Sequence, residues 1–272
     1  MTATHDIPRS ALLRTTDHRP WPVPSRPWVL RMTWRDLLFL HRPISVEAVR
    51  SLVPPELEVD TFEGRAWIGV VPFEMCDVAP RLAPALPGVS RFPELNVRTY
   101  VRYRDRNGDE RPGVWFFSLD ASSRLSVRTA RAFFHLPYFD ARMSIERWSD
   151  SVHYVSTRTH RGAPAGRFQA TYRPIGEPYR SRPGSLDHWL TERYCLYSAD
   201  RRGRLFRGHI QHAPWPLQPA EVEVECDTMA RAAGFDLSME SGTGGEPPVA
   251  HYARELPVVA WWLEKVATER GT

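Results

Sequence analysis

At 272 residues, with 42% hydrophobic and 11% aromatic residues, the chain can bury a sizeable core, which excludes wholesale disorder. The formal charge of +4 is mild, its arginines are scattered except around Arg201–Arg207, and no nucleic-acid reader motif accompanies them, so nucleic acid is not expected as a partner. No apolar run approaches the roughly 20 residues of a membrane span, and Met1–Trp28 lacks the apolar core of a signal peptide, so the sequence predicts a cytoplasmic protein with no membrane partner.

Residues 1–27 carry Pro8, Pro20, Pro22, Pro24 and Pro27 and predict a disordered Pro/Arg-rich arm, with a single domain over 28–266. Trp28–His41 reads as a strand, and Ser45 as the N-cap of a short helix reaching about Leu52. Leu57–Asp60 and Arg65–Cys76 read as a hairpin about Glu63-Gly64, and Asp77–Phe92 as a Pro-rich connection long enough for a lid or binding loop. Glu94–Arg104 and Arg111–Asp120 flank Asn107-Gly108, the strongest hairpin signal in the chain. Ser122 or Ser123 opens a helix to about Phe134. Strands follow near Ala141–Trp148, Val152–His160 and Gly166–Arg173. Ser185 opens another helix, Arg193–Ser198 and Leu205–His212 form a hairpin, and Leu217–Asp227 alternates glutamates with Val222, Val224 and Cys226. A helix near Thr228–Ala233, a Gly-rich loop over Ser241–Glu246 and a last strand or hairpin over Val249–Glu264 close the chain. About ten closely spaced strands joined mostly by hairpins, with only short helices between them, predict an α+β, β-rich fold: an antiparallel sheet curled into a cone or barrel around a central cavity, with short helices outside.

The three cysteines, Cys76, Cys195 and Cys226, are odd in number and form no C-x-x-C or Cys/His cluster, so they read as buried small hydrophobes rather than metal ligands or disulfides. No P-loop, G-x-G-x-x-G, G-x-S-x-G or Ser-His-Asp pattern is present, and no cofactor or metal is predicted. Lys265 is the only lysine. Arginine is permanently charged and forms no imine, so this bias restricts chemistry.

Three places carry candidate chemistry. Along Phe92–Tyr100, the two-residue period of a strand puts Glu94, Asn96, Arg98 and Tyr100 on one face. That face is either solvated or the lining of a closed cavity. The partner segment Gly113–Asp120 is apolar on both sides, which favours the cavity and would let Glu94 pair with Arg98. Ser118 and Asp120 share a face, and Asp120 either caps the next helix or stands at the cavity mouth. Arg193, Tyr197 and His212 either form an inward anion-binding group or are ordinary cross-strand packing. A lone histidine such as His41, at the end of the first strand, is more often structural.

These stretches resemble a known family. Thr33–His41, Gly69–Phe73, FPELNVRTYV (Phe92–Val101), GVWFFSLDA (Gly113–Ala121), Leu136–Tyr138, Arg193-Tyr194 and His212–Leu217 are similar to the YqjF-like proteins, domain of unknown function 2071. Arg42 stands where that pattern would have Trp. The resemblance implies the acetoacetate decarboxylase-like fold. Enzymes of the decarboxylase group use an imine-forming lysine, and the corresponding segment, about Val127–Tyr138, holds Arg128 and Arg131 but no lysine.

The expectation is therefore a polar cavity for a small carboxylate or carbonyl compound, without Schiff-base chemistry. Glu94 and His212 would act as acid or base, and Asn96, Arg98, Tyr100, Asp120, Arg193 and Tyr197 would bind the ligand. If it is an enzyme, a non-covalent lyase-like or isomerase-like activity fits. A non-catalytic ligand-binding or sensing protein, or a structural and interaction protein, is the alternative. The sequence leaves a homo-oligomer open.

Overall fold

A computed structural model describes residues 9–105, 108–235 and 247–266. Within them, thirteen strands form one sheet. The strands are β1 (Leu30–Ile44), β2 (Glu58–Val59), β3 (Ala66–Pro80), β4 (Phe92–Arg104), β5 (Glu110–Ala121), β6 (Tyr138–Trp148), β7 (Ser151–Arg158), β8 (Arg167–Pro174), β9 (Cys195–Ala199), β10 (Leu205–Gln211), β11 (Gln218–Asp227), β12 (Val249–Ala260) and β13 (Glu264–Lys265). Five short helices punctuate them: α1 (Arg9–Leu12), α2 (Val46–Arg50), α3 (Arg124–Phe133), α4 (Leu186–Thr191) and α5 (Met229–Ala232). The side chains of Ser45, Ser123 and Ser185 accept from the backbone N–H three residues on, so each cap falls where a short hydroxyl residue precedes a helical run.

The β4–β5 pairing closes β5–β6–β7–β8–β11–β12–β1–β3–β4 into a barrel. Strands β9 and β10 pair with β5 and β12 and fold over the other side of β12–β1–β3–β4–β5. The central strands thus have two covered faces, and β3 is buried continuously from Ala66 to Cys76. One face fills the barrel with Leu38, Leu40, Ile68, Val70, Leu95 and Val97 against Tyr154, Phe168 and Tyr172. The opposite face presents Leu37, Phe39, Val71, Phe73 and Leu119 to Trp215 and Leu217. Leu190 of α4 covers its end beside Trp67 and Tyr100. No helix among the described residues is long and apolar enough to cross a membrane.

Several expectations change. The N-terminal arm is not free: Leu12 and Trp21 are buried, Arg19 donates to Ile210 O and Gln211 Oε1, and Gln211 donates to Leu12 O and Thr15 O. Prolines forbid regular hydrogen bonding, but side chains can still anchor an irregular segment to a strand. Residues 1–8 lie outside the described ones. Strand β2 pairs with β4, not β3, and only a Phe62↔Arg65 bridge flanks the left-handed Glu63-Gly64 turn. Strand β3 continues to Pro80, which shortens the Pro-rich connection. The β4–β5 hairpin forms with Arg104 opposite Glu110; Asn107 of its turn and the whole Ser241–Glu246 loop lie outside the described residues. Two pairings, β5–β6 and β5–β9, are parallel.

The change with most effect on the site is in β5. The register runs Val97↔Ser118 and then Arg98↔Phe116, so Phe117 is a bulge. Phe116 stays on the face of Arg98, whereas Ser118 and Asp120 turn with Val97 and Leu95 into the barrel.

Candidate functional site

Strand β4 carries Glu94, Asn96, Arg98 and Tyr100 under the β9–β10 layer. Glu94, Asn96 and Tyr100 are buried, and Arg98 alone of the four keeps partial solvent access. The row is extended, so its ends serve different partners. Glu94 does not pair with Arg98. Its Oε2 accepts from the Tyr138 hydroxyl at 2.9 Å, and burial pushes its carboxyl up to about 8, against the pull of that hydrogen bond and with help from the charge of Asp120. A neutral carboxyl at neutral pH has no ion-pairing role.

This carries a pH consequence. The folded chain holds the Glu94 proton up to about 8, whereas the ordinary carboxyl value is 4.5. The stability tied to that proton is fully present below the lower value and is lost as pH rises through this window. In urea melts, the stability of Glu94→Gln relative to the parent is expected to rise between pH 5 and pH 8, on the order of a few kcal/mol. A flat difference would mean that Glu94 titrates as an ordinary carboxylate.

At mid-strand, the Arg98 guanidinium lies 5.2 Å from the Phe39 ring centre and 5.7 Å from that of Tyr100, and its Nη2 reaches the Tyr100 hydroxyl at 3.4 Å. No carboxylate pairs with it among the described residues, and its Nε is buried without a partner. The contrast with its neighbours is direct. Arg158 holds Asp120 at 2.8 Å, and Arg193 holds Asp60 at 2.6 Å. On the face of Arg98, Asn96 Oδ1 and His41 Nδ1 are also buried without partners, as is Trp215 Nε1 beside Phe39. Buried polar atoms are satisfied by protein, water or ligand, so each of these atoms has capacity for a further polar contact.

The remaining predicted residues divide. Arg193 also packs on Tyr100, 4.9 Å from its ring centre, but it is committed to Asp60 and to Trp189 O. His212 reaches the row through rings: it stacks on Tyr194 at 4.7 Å and adjoins Trp215, which packs edge-on against Phe39. Burial lowers its imidazole below the ordinary range. Tyr197 does not join Arg193. β9 begins only at Cys195, so the two-residue period does not extend back to Arg193, and the Tyr197 hydroxyl donates to Arg111 O. Asp120 neither caps α3, which Ser123 does, nor faces Arg98; it forms a buried ion pair inside the barrel.

Sequence reasoning set His41 aside and did not single out Asp60, Asp187 or His251. His41 is fully buried with Nε2 2.6 Å from the Tyr100 hydroxyl. His251 lies opposite Phe39 in the next strand, with Nε2 3.3 Å from Asp187. The period Leu37, Phe39, His41 was readable, but its pairing with β4 chemistry depends on strands far apart in sequence. A cleft of about 840 Å³ opens where β5 leaves β9 to join β6; Phe116, Leu136, Tyr197, Arg131 and Arg201 are among its walls, and none of Glu94, Asn96, Arg98 and Tyr100 lines it.

Among solved structures, the chain is similar in fold to the enduracididine biosynthesis enzyme MppR complexed with pyruvate, at a TM-score of 0.58 and 11% identity, covering 91% of this chain and 93% of that one. It is also similar to acetoacetate decarboxylase from Legionella pneumophila, at a TM-score of 0.56 and 13% identity, covering 99% and 100%. An acetoacetate decarboxylase-like enzyme from Sphingomonas wittichii RW1 gives a TM-score of 0.59 at 11% identity, covering 92% and 98%. At such identities the likeness is one of fold. In sequence, the chain is 45% identical over 243 residues to the uncharacterized protein YqjF of Bacillus subtilis, covering 89% of this chain and 95% of that one. The model of DUF2071, an uncharacterized conserved protein family, matches residues 31–257, and with that match the chain belongs to the DUF2071 family.

Proposed function

We propose that this protein binds a small keto acid or related carboxylate, with the anion on Arg98, and that it does so without an imine. The observation that carries this is the lack of a counter-ion at Arg98. A partly buried guanidinium costs free energy unless an anion and hydrogen-bond acceptors meet it, and a carboxylate supplies both in a planar two-point grip. The orphan atoms of Asn96 and His41 supply further polar contacts. Phe116, the cross-strand neighbour of Arg98, is one wall of the cleft and separates it from the guanidinium. That a similarly folded protein has been solved with pyruvate supports the ligand class. Lys265 is exposed on β13 and pairs there with Phe206, which keeps it off the face of Arg98.

A thermal-shift series with pyruvate, 2-oxobutanoate, acetoacetate and their hydroxy counterparts tests the reading. A ligand at a hundred times its dissociation constant is expected to stabilise the fold by about 2.7 kcal/mol. If none of these compounds moves the melting temperature, the interior polar row serves the fold alone.

A further inference from the structure

The Tyr100 hydroxyl joins two groups. It lies 2.6 Å from His41 Nε2 and 3.4 Å from Arg98 Nη2. His41 has no accessible surface, and its second nitrogen, Nδ1, has no partner. The chain keeps room for this group. Gly69 lies opposite His41 in β3, and a Cβ there would stand 2.9 Å from His41 Cδ2 and 3.6 Å from Arg98 Cγ. Burial first, then the charge of Arg98 and then His251, hold this imidazole well below its ordinary range, so it is neutral and one nitrogen carries a lone pair.

We propose that His41 and Tyr100 form a proton-transfer pair for a carbonyl compound whose carboxylate rests on Arg98; the proposal rests on the keto-acid reading above. In the resting tautomer Nε2–H donates to the Tyr100 oxygen. That leaves the phenol proton for the ligand's carbonyl oxygen and the Nδ1 lone pair for a proton on the adjacent carbon. The step balances without a cofactor. The C–H bond breaks as Nδ1 takes the proton, and its electron pair becomes the C=C bond of the enol. The phenol proton moves to the carbonyl oxygen, and the Nε2 proton restores the phenol. The imidazole ends neutral with its proton on Nδ1. Once that proton exchanges with water, the reverse sequence returns a solvent hydrogen to carbon. Of the three protons that move, the one from Nε2 to the phenol oxygen passes between groups already joined by a hydrogen bond, and general acid–base assistance of this kind contributes about 100-fold or more.

The experiment follows the methyl protons of pyruvate by 1H NMR in D2O, beside a thermal shift with pyruvate on the same samples. With each protein saturated in pyruvate as judged by its own thermal-shift titration, the parent is expected to exchange the methyl protons about 100-fold faster than a Tyr100→Phe variant. Binding without exchange above buffer in the parent, or undiminished exchange in Tyr100→Phe, overturns the proton-transfer pair and leaves the binding reading intact. Absence of any pyruvate-induced shift in the parent overturns the binding reading and the pair with it. A long-range 1H–15N spectrum of the resting protein adds a readout independent of turnover: the relay requires the His41 proton on Nε2, and a resting proton on Nδ1 contradicts it.

Discussion

Replacing Arg98 with methionine is expected to abolish keto-acid binding while making the unliganded protein more stable. The two effects have opposite signs because Arg98 lacks a counter-ion. For an ion-paired arginine, truncation leaves a buried carboxylate unmatched and costs stability. At Arg98 no carboxylate is left behind, and a methionine stem can still pack over Phe39. Removing the charge from a partly buried position is expected to gain about 1 kcal/mol. Loss of a charge-assisted contact to the ligand is expected to cost about 2–5 kcal/mol, which weakens binding roughly 30-fold or more. Arg98→Lys should fall between, since an ammonium keeps the charge but not the planar grip. Urea melts with and without pyruvate read both effects. An unliganded Arg98→Met that is clearly less stable, with pyruvate binding unchanged, would assign Arg98 to the scaffold.

What was legible in the sequence follows from how local each feature is. The alternation in Phe92–Tyr100 was readable because β4 stays regular from Glu94 to Tyr100 and because its apolar partner announced a covered neighbour. The helix caps at Ser45, Ser123 and Ser185 were readable for the same reason: a cap is set by residues three apart. Asp120 was misplaced by one bulged residue. Nothing in Val-Trp-Phe-Phe-Ser-Leu-Asp distinguishes an unbroken strand from one that skips Phe117, yet the skip exchanges the faces of everything after it. Tyr197 was grouped with Arg193 by carrying a strand period two residues beyond the strand's start. The arm and β2 were misjudged because their partners, Gln211 and Arg102, are distant in sequence, and neither proline content nor a turn signal encodes such pairing. The same non-locality hid the pairing of Asp60 with Arg193 and of Asp187 with His251.

Asp120, moved out of the site by that bulge, should instead be a large determinant of stability. Both partners of the pair are buried: Asp120 has no accessible surface, and Arg158 reaches it through Nε and Nη2 at 2.8–3.1 Å. The guanidinium also lies 4.3 Å from the Phe139 ring centre and donates to Pro164 O. Removing one partner strands the other charge in the interior, so Asp120→Ala or Arg158→Ala is expected to cost about 3–5 kcal/mol in urea melts. The double change Asp120→Leu with Arg158→Met removes both charges and is expected to be less destabilised than either single variant, because the desolvation of the pair disappears along with its attraction. A single variant that lost less than about 1 kcal/mol, the worth of an exposed pair, would contradict the burial argument. The pair also acts on the face of Arg98 at one point. Its carboxylate is among the causes that raise Glu94, although burial is the larger one, so the Glu94 titration of the double variant should move modestly downward while pyruvate binding at Arg98 persists. Stability loss with binding intact is the signature that separates a charge built into the barrel from one built into the site.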